Sequence, residues 1–373
     1  MDSGQGGDPI RPAPSCHGRG TARFAVSLRI LLVMDPLIPV PPIVYGGYER
    51  VIADLAAGLT ARGHDVTLWA APGSRVPGTV EPFGREGEWS RWSNVRNTLV
   101  VTGRLYASPR RFDLVHNFGR LAYLSAILAW DLPKVQTYMR SVNPANMRKV
   151  RVLGARRLSF TAVSRAVRDT GAPGGGEWHV IYNCASPAIY HYHPDTDAAA
   201  APLVFLGRLD RCKGAHTAIA VAKRLGRPLI IAGNISTLPH ERAYFEQEIQ
   251  PHIDHQLVRY VGAVNDTQKN ELLGNAAALL MPIEWEEPFP VVLPESLLCG
   301  TPVIAFRRGG VPEGIAHGCT GFLCDTVEDM VQAVADLPRL NRRDCRAEAE
   351  RRFGTNAIVS DYERLYRAQL PNS

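Results

Sequence analysis

Short apolar runs alternate with segments of helical periodicity along most of this chain, and this alternation is the strongest constraint on its fold. The run at residues 28–34 has Arg29 as its only charge, and apolar residues at helical spacing follow at 48–61. Unbroken apolar runs are typical of parallel strands covered on both faces, and strands that alternate with helices predict a parallel α/β sheet. Further runs lie at 66–70, 113–116, 134–138, 159–163 and 179–182.

The same pattern restarts after a polar stretch at residues 193–202. Strand-like runs are found there at 203–207, 229–233, 258–261, 278–282 and 303–306, again with helical segments between them. A chain of 373 residues is long enough for two domains of ordinary size. The sequence therefore predicts two doubly wound, Rossmann-like α/β domains in tandem, joined near residues 184–202.

Two glutamates of the second domain are the first candidate site residues. Glu287 and Glu295 lie eight positions apart, and Pro288 and Pro290 make one continuous helix through both unfavourable. Pro294 is tolerated in the first turn of a helix, so we expect Glu287 in a loop and Glu295 at a helix start, both within reach of one ligand. A carboxylate accepts hydrogen bonds only, which suits sugar hydroxyls. The alternative is a capping glutamate and an exposed helical one.

Glycines and cations mark two further loops. Gly46 and Gly47 follow the first strand and precede the first helix, where glycine lets backbone N–H groups approach a phosphate at a helix N-terminus. Arg208 and Lys213 lie five positions apart after the first strand of the second domain, and two cations at a strand end can bind a diphosphate. A plain turn and a pair of solvated surface cations are the respective alternatives.

Around these residues the chain resembles the retaining glycosyltransferases of family 4, which have the GT-B fold. The resemblance rests on the segments EPFPVVLPESLLCGTPVIA, PPIVYGGYERV and VFLGRLDRCKG. It implies that the two sheets face each other across a cleft, that Glu287 lies by the transferred sugar, and that Glu295 binds the nucleotide ribose. It also implies donor contacts for Phe289, Pro290 and Val291, with Pro290 in place of the glycine usual in the family.

The resemblance also gives roles to the loops at the start of each domain. It implies that Arg208 and Lys213 bind the donor diphosphate and offset the charge on the leaving group. By the same comparison, Gly46 and Gly47 lie near the donor phosphates and the acceptor. The second domain would then hold the donor, and the first would offer the acceptor surface.

Two more positions enter through the resemblance. The loop with Gly309 and Gly310 is implied to face the donor, although a plain turn is the alternative. His116 is implied to lie near the reaction centre, and the alternative is a residue that simply ends a strand. The connection between the domains, at 183–186, differs from the family's usual Asn-Gly-Val-Asp.

The resulting functional prediction is an enzyme that moves a hexosyl or related sugar from a UDP- or GDP-linked donor to an acceptor hydroxyl, with retention of anomeric configuration. The acceptor is expected to be a sugar, a lipid or a small molecule, and no cofactor is expected. The short-spaced His191, His193, His252 and His255 lack convincing partners, so no metal is predicted. The alternatives are a GT-B nucleotide-sugar 2-epimerase and a non-catalytic sugar- or nucleotide-binding protein.

The predicted parts of the chain are a disordered segment at 1–23, an acceptor-side domain at 24–190 and a donor domain at 191–354. A C-terminal helix within 355–373 is expected, by resemblance, to pack back onto the first domain. No apolar run reaches the roughly eighteen residues that span a bilayer, the N-terminus has no signal-peptide core, and the seven cysteines form no Cys-x-x-Cys pair. These features predict a cytoplasmic protein.

Basic residues are concentrated in the first half of the chain. Residues 1–183 hold 23 Lys and Arg against 13 Asp and Glu, whereas the remainder holds 19 against 23. Part of the excess is the cluster Arg148, Lys149, Arg151, Arg156 and Arg157. An acidic acceptor, the anionic inner face of a membrane and a solvated arginine-rich surface are the alternatives for this cluster. Nucleic acid is not expected, because no binding motif accompanies the charge.

Overall fold

The structure is a computed structural model that describes residues 27–42 and 46–370, and the predicted disordered segment at 1–23 lies outside the described residues. Two parallel sheets, one of seven and one of six strands, form the framework of the described residues. The two-domain α/β architecture predicted from the sequence is therefore confirmed.

The first sheet has the strand order β3-β2-β1-β4-β5-β6-β7. Its registers are parallel throughout, with Ile30 opposite both Val66 and Leu114. The chain starts at a central strand and winds towards both edges, so right-handed crossovers place helices on both faces. The strands are Arg29–Val33 (β1), Asp65–Ala70 (β2), Thr79–Pro82 (β3), Leu114–Asn117 (β4), Lys134–Tyr138 (β5), Leu158–Ala162 (β6) and Glu177–Val180 (β7).

The second sheet repeats this winding with the order β10-β9-β8-β11-β12-β13. Its strands are Leu203–Leu206 (β8), Leu229–Ala232 (β9), Val258–Tyr260 (β10), Ala278–Met281 (β11), Val303–Phe306 (β12) and Gly321–Cys324 (β13). In such sheets, ligands bind outside the carboxyl ends of the strands where the strand order reverses. Those points are β1/β4 in the first sheet and β8/β11 in the second.

Twelve α-helices connect or flank these strands in the described part of the chain. They are Gly47–Ala61 (α1), Arg91–Ala107 (α2), Pro144–Val152 (α3), Arg165–Gly171 (α4), Ala215–Leu225 (α5), Pro239–Tyr244 (α6), Asp266–Gly274 (α7), Val292–Leu298 (α8), Val311–Gly314 (α9), Val327–Ala335 (α10), Arg342–Phe353 (α11) and Thr355–Gln369 (α12). Short 3₁₀ turns include Leu121–Ile127 and Arg211–Lys213.

Two edge strands, β3 and β13, were not expected from the sequence. β3 is only partly buried, and its sequence Thr-Val-Glu-Pro gives no apolar run. An edge strand pairs on one side and is half solvated, so it needs no continuous apolar sequence. The apolar-run criterion therefore finds the central strands and the edge strands β7 and β10, and misses the edge strands β3 and β13.

The larger buried cluster continues from the first sheet into the second domain. It includes Leu293 of α8, Phe353 of α11 and Tyr362 of α12, all nearly inaccessible to solvent. The last helix, α12, packs on α1, where Arg62 Nη1 lies 2.9 Å from Glu363 Oε2. The end of the chain therefore belongs to the same packed unit as the first sheet.

Candidate active site

A cavity of about 620 Å³ lies between the two sheets. Residues just beyond the carboxyl ends of β8 and β9, such as Gly207 and Asn234, form one wall. The facing wall comes from the first domain and includes Ile38, which follows β1, and Arg140, which follows β5. This is the position at which doubly wound sheets bind ligands, so we take the cavity as the candidate site.

The structure brings most of the sequence-predicted site residues to this cavity. Those that line it are Gly46, Gly47, Arg208, Lys213, Glu287, Phe289, Pro290, Val291 and Glu295. The other three, His116, Gly309 and Gly310, are not among its lining residues. Positions far apart in sequence thus meet around one space large enough for a small-molecule ligand.

Glu287 and Lys213 form an ion pair on the wall of the cavity. Lys213 Nζ lies 2.5 Å from Glu287 Oε2, and both side chains are largely buried. Glu287 is in the loop between β11 and α8, and Lys213 ends the 3₁₀ turn that leads into α5. The ammonium also lies 5.3 Å from the ring centre of Trp285, in a cation–π arrangement. A cation and a carboxylate are therefore held side by side on the cavity wall.

Arg208 presents a second positive charge to the cavity. Its guanidinium lies 2.7 Å from Asp210 Oδ2, while its own side chain remains 44% exposed. Burial raises the pKa of Asp210, and Arg208 opposes that shift. Asp210 thus positions the Arg208 guanidinium, which still lines the cavity.

Glu295 is buried in the first turn of α8, as the position of Pro294 predicts. Its Oε1 accepts a hydrogen bond from Tyr190 Oη at 2.7 Å and pairs with Lys269 Nζ at 2.6 Å. Among residues 27–42 and 46–370, no partner bonds to the other oxygen, Oε2. Burial and the neighbouring Glu295 raise the pKa of Tyr190, which therefore remains a hydrogen-bond donor. The carboxylate is fixed on one side and has one oxygen left for a ligand.

The residues between the two glutamates fix the loop as well as lining the cavity. The ring of Phe289 lies 5.1 Å from that of Tyr182 and 5.4 Å from that of Phe353, centre to centre. Asn183, in the connection between the domains, donates a hydrogen bond from Nδ2 to the Phe289 carbonyl at 2.9 Å. The connection between the domains at 183–186, whose sequence differs from the family's usual one, is therefore hydrogen-bonded to the loop that carries Glu287 and Phe289.

Gly47 allows the two domains to approach closely. A β-carbon at this position would lie 3.2 Å from Cγ2 of Val291. Gly47 is the first residue of α1, so the start of this helix faces Val291 in the β11–α8 loop of the other domain. The glycine pair at 46–47 therefore borders the cavity on the first-domain side.

The loop with Gly309 and Gly310 packs against the loop that carries Glu287, and neither glycine is among the residues that line the cavity. The Gly309 amide donates to Glu286 Oε2 at 2.7 Å, and the Gly310 amide donates to the Glu287 carbonyl at 2.7 Å. A β-carbon at Gly310 would lie 2.0 Å from the Pro288 carbonyl oxygen, so only glycine fits. These contacts position Glu287, and the expectation that this loop faces the donor stays a prediction.

His116 lies in the protein interior and is not among the residues that line the cavity, and its predicted place at the reaction centre stays a prediction. The side chain is fully buried within β4, with Nδ1 2.5 Å from Tyr366 Oη and Nε2 2.6 Å from Thr137 Oγ1. Burial lowers its pKa well below the ordinary value, so the ring stays neutral. Side chains of a strand alternate between faces, and this one points towards α12, which covers that face of the sheet.

Sequence reasoning missed a group of charges that bridges the domains. Arg50 of α1 pairs with Asp266 of α7, and Lys269, one turn further along α7, lies 3.5 Å from Asp266. Helix α7 is set by a capping box, in which Asn265 and Gln268 exchange side chain-to-backbone hydrogen bonds of 3.0 Å. Only the capping box is visible in the sequence, because Arg50 and Asp266 are 216 positions apart.

Neither a metal-binding cluster nor a membrane-spanning helix is found among the described residues. Within them, no group of three or more His, Cys, Asp or Glu side chains is close enough to hold a metal ion. An Asp-x-Asp sequence at 195–197 lies exposed in the connection between the domains, away from the cavity. Within the same residues, no helix is long and apolar enough to cross a membrane.

Comparison with known proteins gives matches over both domains. The family model for glycosyl transferases group 1 matches residues 198–359, and the model for Glycosyltransferase Family 4 matches residues 45–188. Among curated proteins, glycogen synthase from Mycobacterium tuberculosis is 25% identical over an alignment of 394 positions, which covers 90% of this chain and 91% of that protein. A shorter match is to N-acetyl-alpha-D-glucosaminyl L-malate synthase from Bacillus anthracis, 36% identical over 26% of this chain and 27% of the relative.

Solved structures give the same result for the fold. AviGT4, a glycosyltransferase involved in avilamycin A biosynthesis, superposes with a TM-score of 0.70 and 27% identity, covering 92% of this chain and 98% of that one. Anabaena Alr3699/HepE in complex with UDP-glucose gives a TM-score of 0.71 at 20% identity, covering 91% of this chain and all of the other. With two family matches that take in most of the sequence and two Rossmann-like domains around one cavity, this chain belongs to the family 4, group 1 glycosyltransferases of GT-B fold.

Proposed function

We propose that this glycosyltransferase moves a hexosyl or related sugar from a UDP- or GDP-linked donor to an acceptor hydroxyl, with retention of anomeric configuration and without a metal ion. The observation that carries the proposal is the cavity in which Arg208 and Lys213, from the β8–α5 connection, meet Glu287 and Glu295, from the β11–α8 loop and the start of α8. Two cations beside two carboxylates suit a diphosphate attached to a sugar and a ribose.

The diphosphate is proposed to bind at Arg208 and Lys213. Both cations follow β8, and helix α5 begins two residues after Lys213, so its N-terminal amides add favourable potential for an anion. When the bond to the sugar breaks, negative charge grows on the diphosphate. Fixed cations stabilise that charge without reorganisation, which is the usual source of rate enhancement at such sites.

The two carboxylates are proposed to accept hydrogen bonds from hydroxyl groups of the donor. Glu295 is held by Lys269 and Tyr190 through Oε1, which leaves Oε2 to accept hydrogen bonds from ribose. Glu287 lies deeper in the loop beside Lys213, where it can accept from a sugar hydroxyl. Each carboxylate has a fixed partner, so neither needs to reorganise when the donor binds.

The acceptor is proposed to enter from the first domain, past Gly46, Gly47 and Arg140, which line the opposite wall. A sugar, a lipid or a small molecule with a free hydroxyl fits this description. The complexes of Alr3699/HepE with UDP and UDP-glucose support a uridine nucleotide as the first donor to try. The predicted cytoplasmic location stays a prediction.

A panel of UDP-, GDP- and ADP-linked sugars, each added to the full chain in a thermal unfolding assay, tests this proposal. A donor that binds the native state raises the melting temperature, and the rise grows with the logarithm of its concentration relative to its dissociation constant. We expect a rise with one nucleotide class, its loss in Glu295→Gln, and its retention in the control Glu328→Gln, whose side chain is 69% exposed on α10.

Turnover then separates the competing functions. Transfer to a hydroxyl acceptor with release of nucleoside diphosphate is the expected result. Conversion of the intact donor to its 2-epimer without an acceptor would identify an isomerase. Stabilisation by a donor with no turnover against sugar, lipid and small-molecule acceptors would identify a binding protein.

A further inference from the structure

Helix α2 exposes its apolar side and buries its polar side over its first half. Ser93 and Asn97 face the interior and are almost inaccessible, whereas Trp92 is 82% exposed and Leu99 is 65% exposed. A helix that packs on a sheet normally shows the opposite pattern. Trp92, Val95 and Leu99 recur at intervals of three and four residues, so they form one stripe on the outer side of the helix.

This stripe is part of a wider apolar surface on the same helical layer. Among the described residues, seven of the eleven exposed large hydrophobic side chains lie here: Trp89, Trp92, Val95, Leu99, Tyr106, Val152 and Leu153. Tyr106 joins α2 to the neighbouring turn, since its hydroxyl donates to the Ala126 carbonyl at 3.0 Å and its ring lies 5.0 Å from that of Trp130. The Arg156 amide bonds to the Leu128 carbonyl at 2.9 Å, which brings the end of α3 alongside.

Basic residues predominate in the two segments that carry these apolar side chains. Residues 85–111 and 140–157, which carry all seven, together hold 12 Lys and Arg against 2 Asp and Glu. The excess of 10 in these two segments equals the whole excess of residues 1–183, where 23 basic residues face 13 acidic ones. Arg148, Lys149 and Arg151 are all exposed on α3. We call the surface formed by 85–111 and 140–157 the arginine–aromatic face.

The arginine–aromatic face reaches the rim of the cleft. Helix α2 follows β3, so its first residues lie at the carboxyl edge of the sheet, the edge at which the cavity opens. The Arg120 guanidinium carbon lies over the ring of Trp89, 4.6 Å from the ring centre. Arg120 Nε is also 3.6 Å from Oδ1 of Asp35, two residues after β1. A surface that binds the arginine–aromatic face would therefore lie next to the acceptor side of the cavity.

We propose that the arginine–aromatic face docks the enzyme on an anionic lipid bilayer. Exposed Trp and Leu side chains favour the interface between headgroups and acyl chains, and the surrounding arginines attract anionic headgroups. A second copy of the chain fits less well, because a two-fold contact would bring the same basic surfaces together. The proposal does not depend on which nucleotide sugar the cavity takes.

Vesicle flotation with the full chain tests the proposal. Vesicles of phosphatidylcholine alone and with 30% phosphatidylglycerol, each at about 0.1 M and 1 M salt, separate charge-driven from general lipid binding because the Debye length falls from about 10 Å to 3 Å. Leu99→Ser is matched by Leu238→Ser, a similarly exposed leucine of the second domain. Arg148→Gln/Lys149→Gln/Arg151→Gln is matched by Arg339→Gln/Arg351→Gln/Arg364→Gln, three exposed arginines elsewhere.

We expect the wild-type chain to float with anionic vesicles at low salt and not with neutral ones. Leu99→Ser should weaken partition about tenfold, and the triple variant on α3 about 100-fold, whereas both controls should behave as wild type. With brominated lipid, tryptophan fluorescence should be quenched, and Trp92→Phe should remove a large share of that quenching while still binding.

Three results would overturn the proposal. These are no flotation with anionic vesicles, equal flotation with both lipid compositions, and equal losses in each variant and its control. A dimer in light scattering that Trp92→Ser dissociates, without vesicle binding, would assign the face to a second copy instead. Donor-induced thermal stabilisation, measured on the same variants, should be unchanged, so failure here is distinguishable from failure of the proposed transferase function.

Discussion

Glutamine at each of the two cavity glutamates should change nucleoside diphosphate affinity in different ways. In Glu295→Gln the side chain keeps its size but loses its charge, and Lys269 loses the nearer of its two carboxylate partners, at 2.6 Å, and keeps Asp266, at 3.5 Å. Oε2 is the oxygen proposed to accept a hydrogen bond from ribose, and a hydrogen bond to a charged group contributes about 1.5–3 kcal/mol. We therefore expect the dissociation constant for the free diphosphate to rise about 10- to 100-fold.

Glu287→Gln should leave that affinity unchanged or improve it. Glu287 lies 2.5 Å from Lys213 and neutralises it, so a diphosphate bound at this cation would share it with a carboxylate. Glutamine removes this competition, and we expect an increase in affinity of up to about tenfold. Transfer should nevertheless fall by about 10²–10³, because the proposed contact to the reacting sugar is weakened.

Isothermal titration of the wild type, both variants and the control Glu328→Gln with UDP and GDP measures these effects directly. Melting curves of the four proteins first establish that each is folded. A dissociation constant for Glu295→Gln within twofold of wild type, together with a tenfold weakening in Glu287→Gln, would refute the assignment of the ribose to Glu295.

Three further outcomes are expected. Arg208→Ala and Lys213→Ala should each lower kcat about 10²–10³ in initial-rate assays at saturating donor, and an unchanged kcat would remove the diphosphate role. Burial raises the pKa of Asp54 from 3.8 to about 7, with Arg50 opposing the shift. The folded state therefore holds a proton that the unfolded state has lost between these values, and stability falls as pH rises through this window. Asp54→Asn should raise the free energy of unfolding at pH 8 and not at pH 4, as measured by denaturant titration. His116→Ala should lower the free energy of unfolding by about 2–4 kcal/mol, since it empties a buried, hydrogen-bonded position, and should leave kcat of the folded protein unchanged; a selective loss of kcat would place His116 at the reaction centre.

Much of the framework was accessible from sequence because buried parallel strands carry continuous apolar runs. β5 and β12 have the predicted bounds, and the other central strands differ by one or two residues. The turn chemistry around Pro294 likewise sets the start of α8 and so the position of Glu295. In these cases, the determining forces act within a short stretch of chain.

The features of the site that the sequence does not reveal are contacts between distant segments. The sequence shows that His116 lies near a strand end, but not that α12 covers the face to which its ring points. Gly309 and Gly310 were recognised as a glycine loop, yet their partners, the Glu286 carboxylate and the Glu287 carbonyl, are more than twenty positions away. The same limit applies to Lys269, which no local motif connects to Glu295.

The arginine–aromatic face was only partly visible in advance. The basic excess of residues 1–183 is a property of composition and could be read directly. Which side of α2 is buried depends on its packing against the sheet and the Leu121–Ile127 turn, and apolar spacing alone would have predicted the opposite side. The inference therefore needed the structure.

Proton NMR of the wild-type enzyme with an α-linked nucleotide sugar, in buffer containing EDTA, tests retaining and metal-independent transfer most directly. A simple glycoside, or water in its absence, serves as the acceptor, and Lys213→Ala serves as the control. We predict release of nucleoside diphosphate and first appearance of the α anomer in the transferred or released sugar, with little of either in Lys213→Ala. First appearance of the β anomer, a 2-epimer of the intact donor, or turnover only after a divalent metal is added would contradict the proposed reaction.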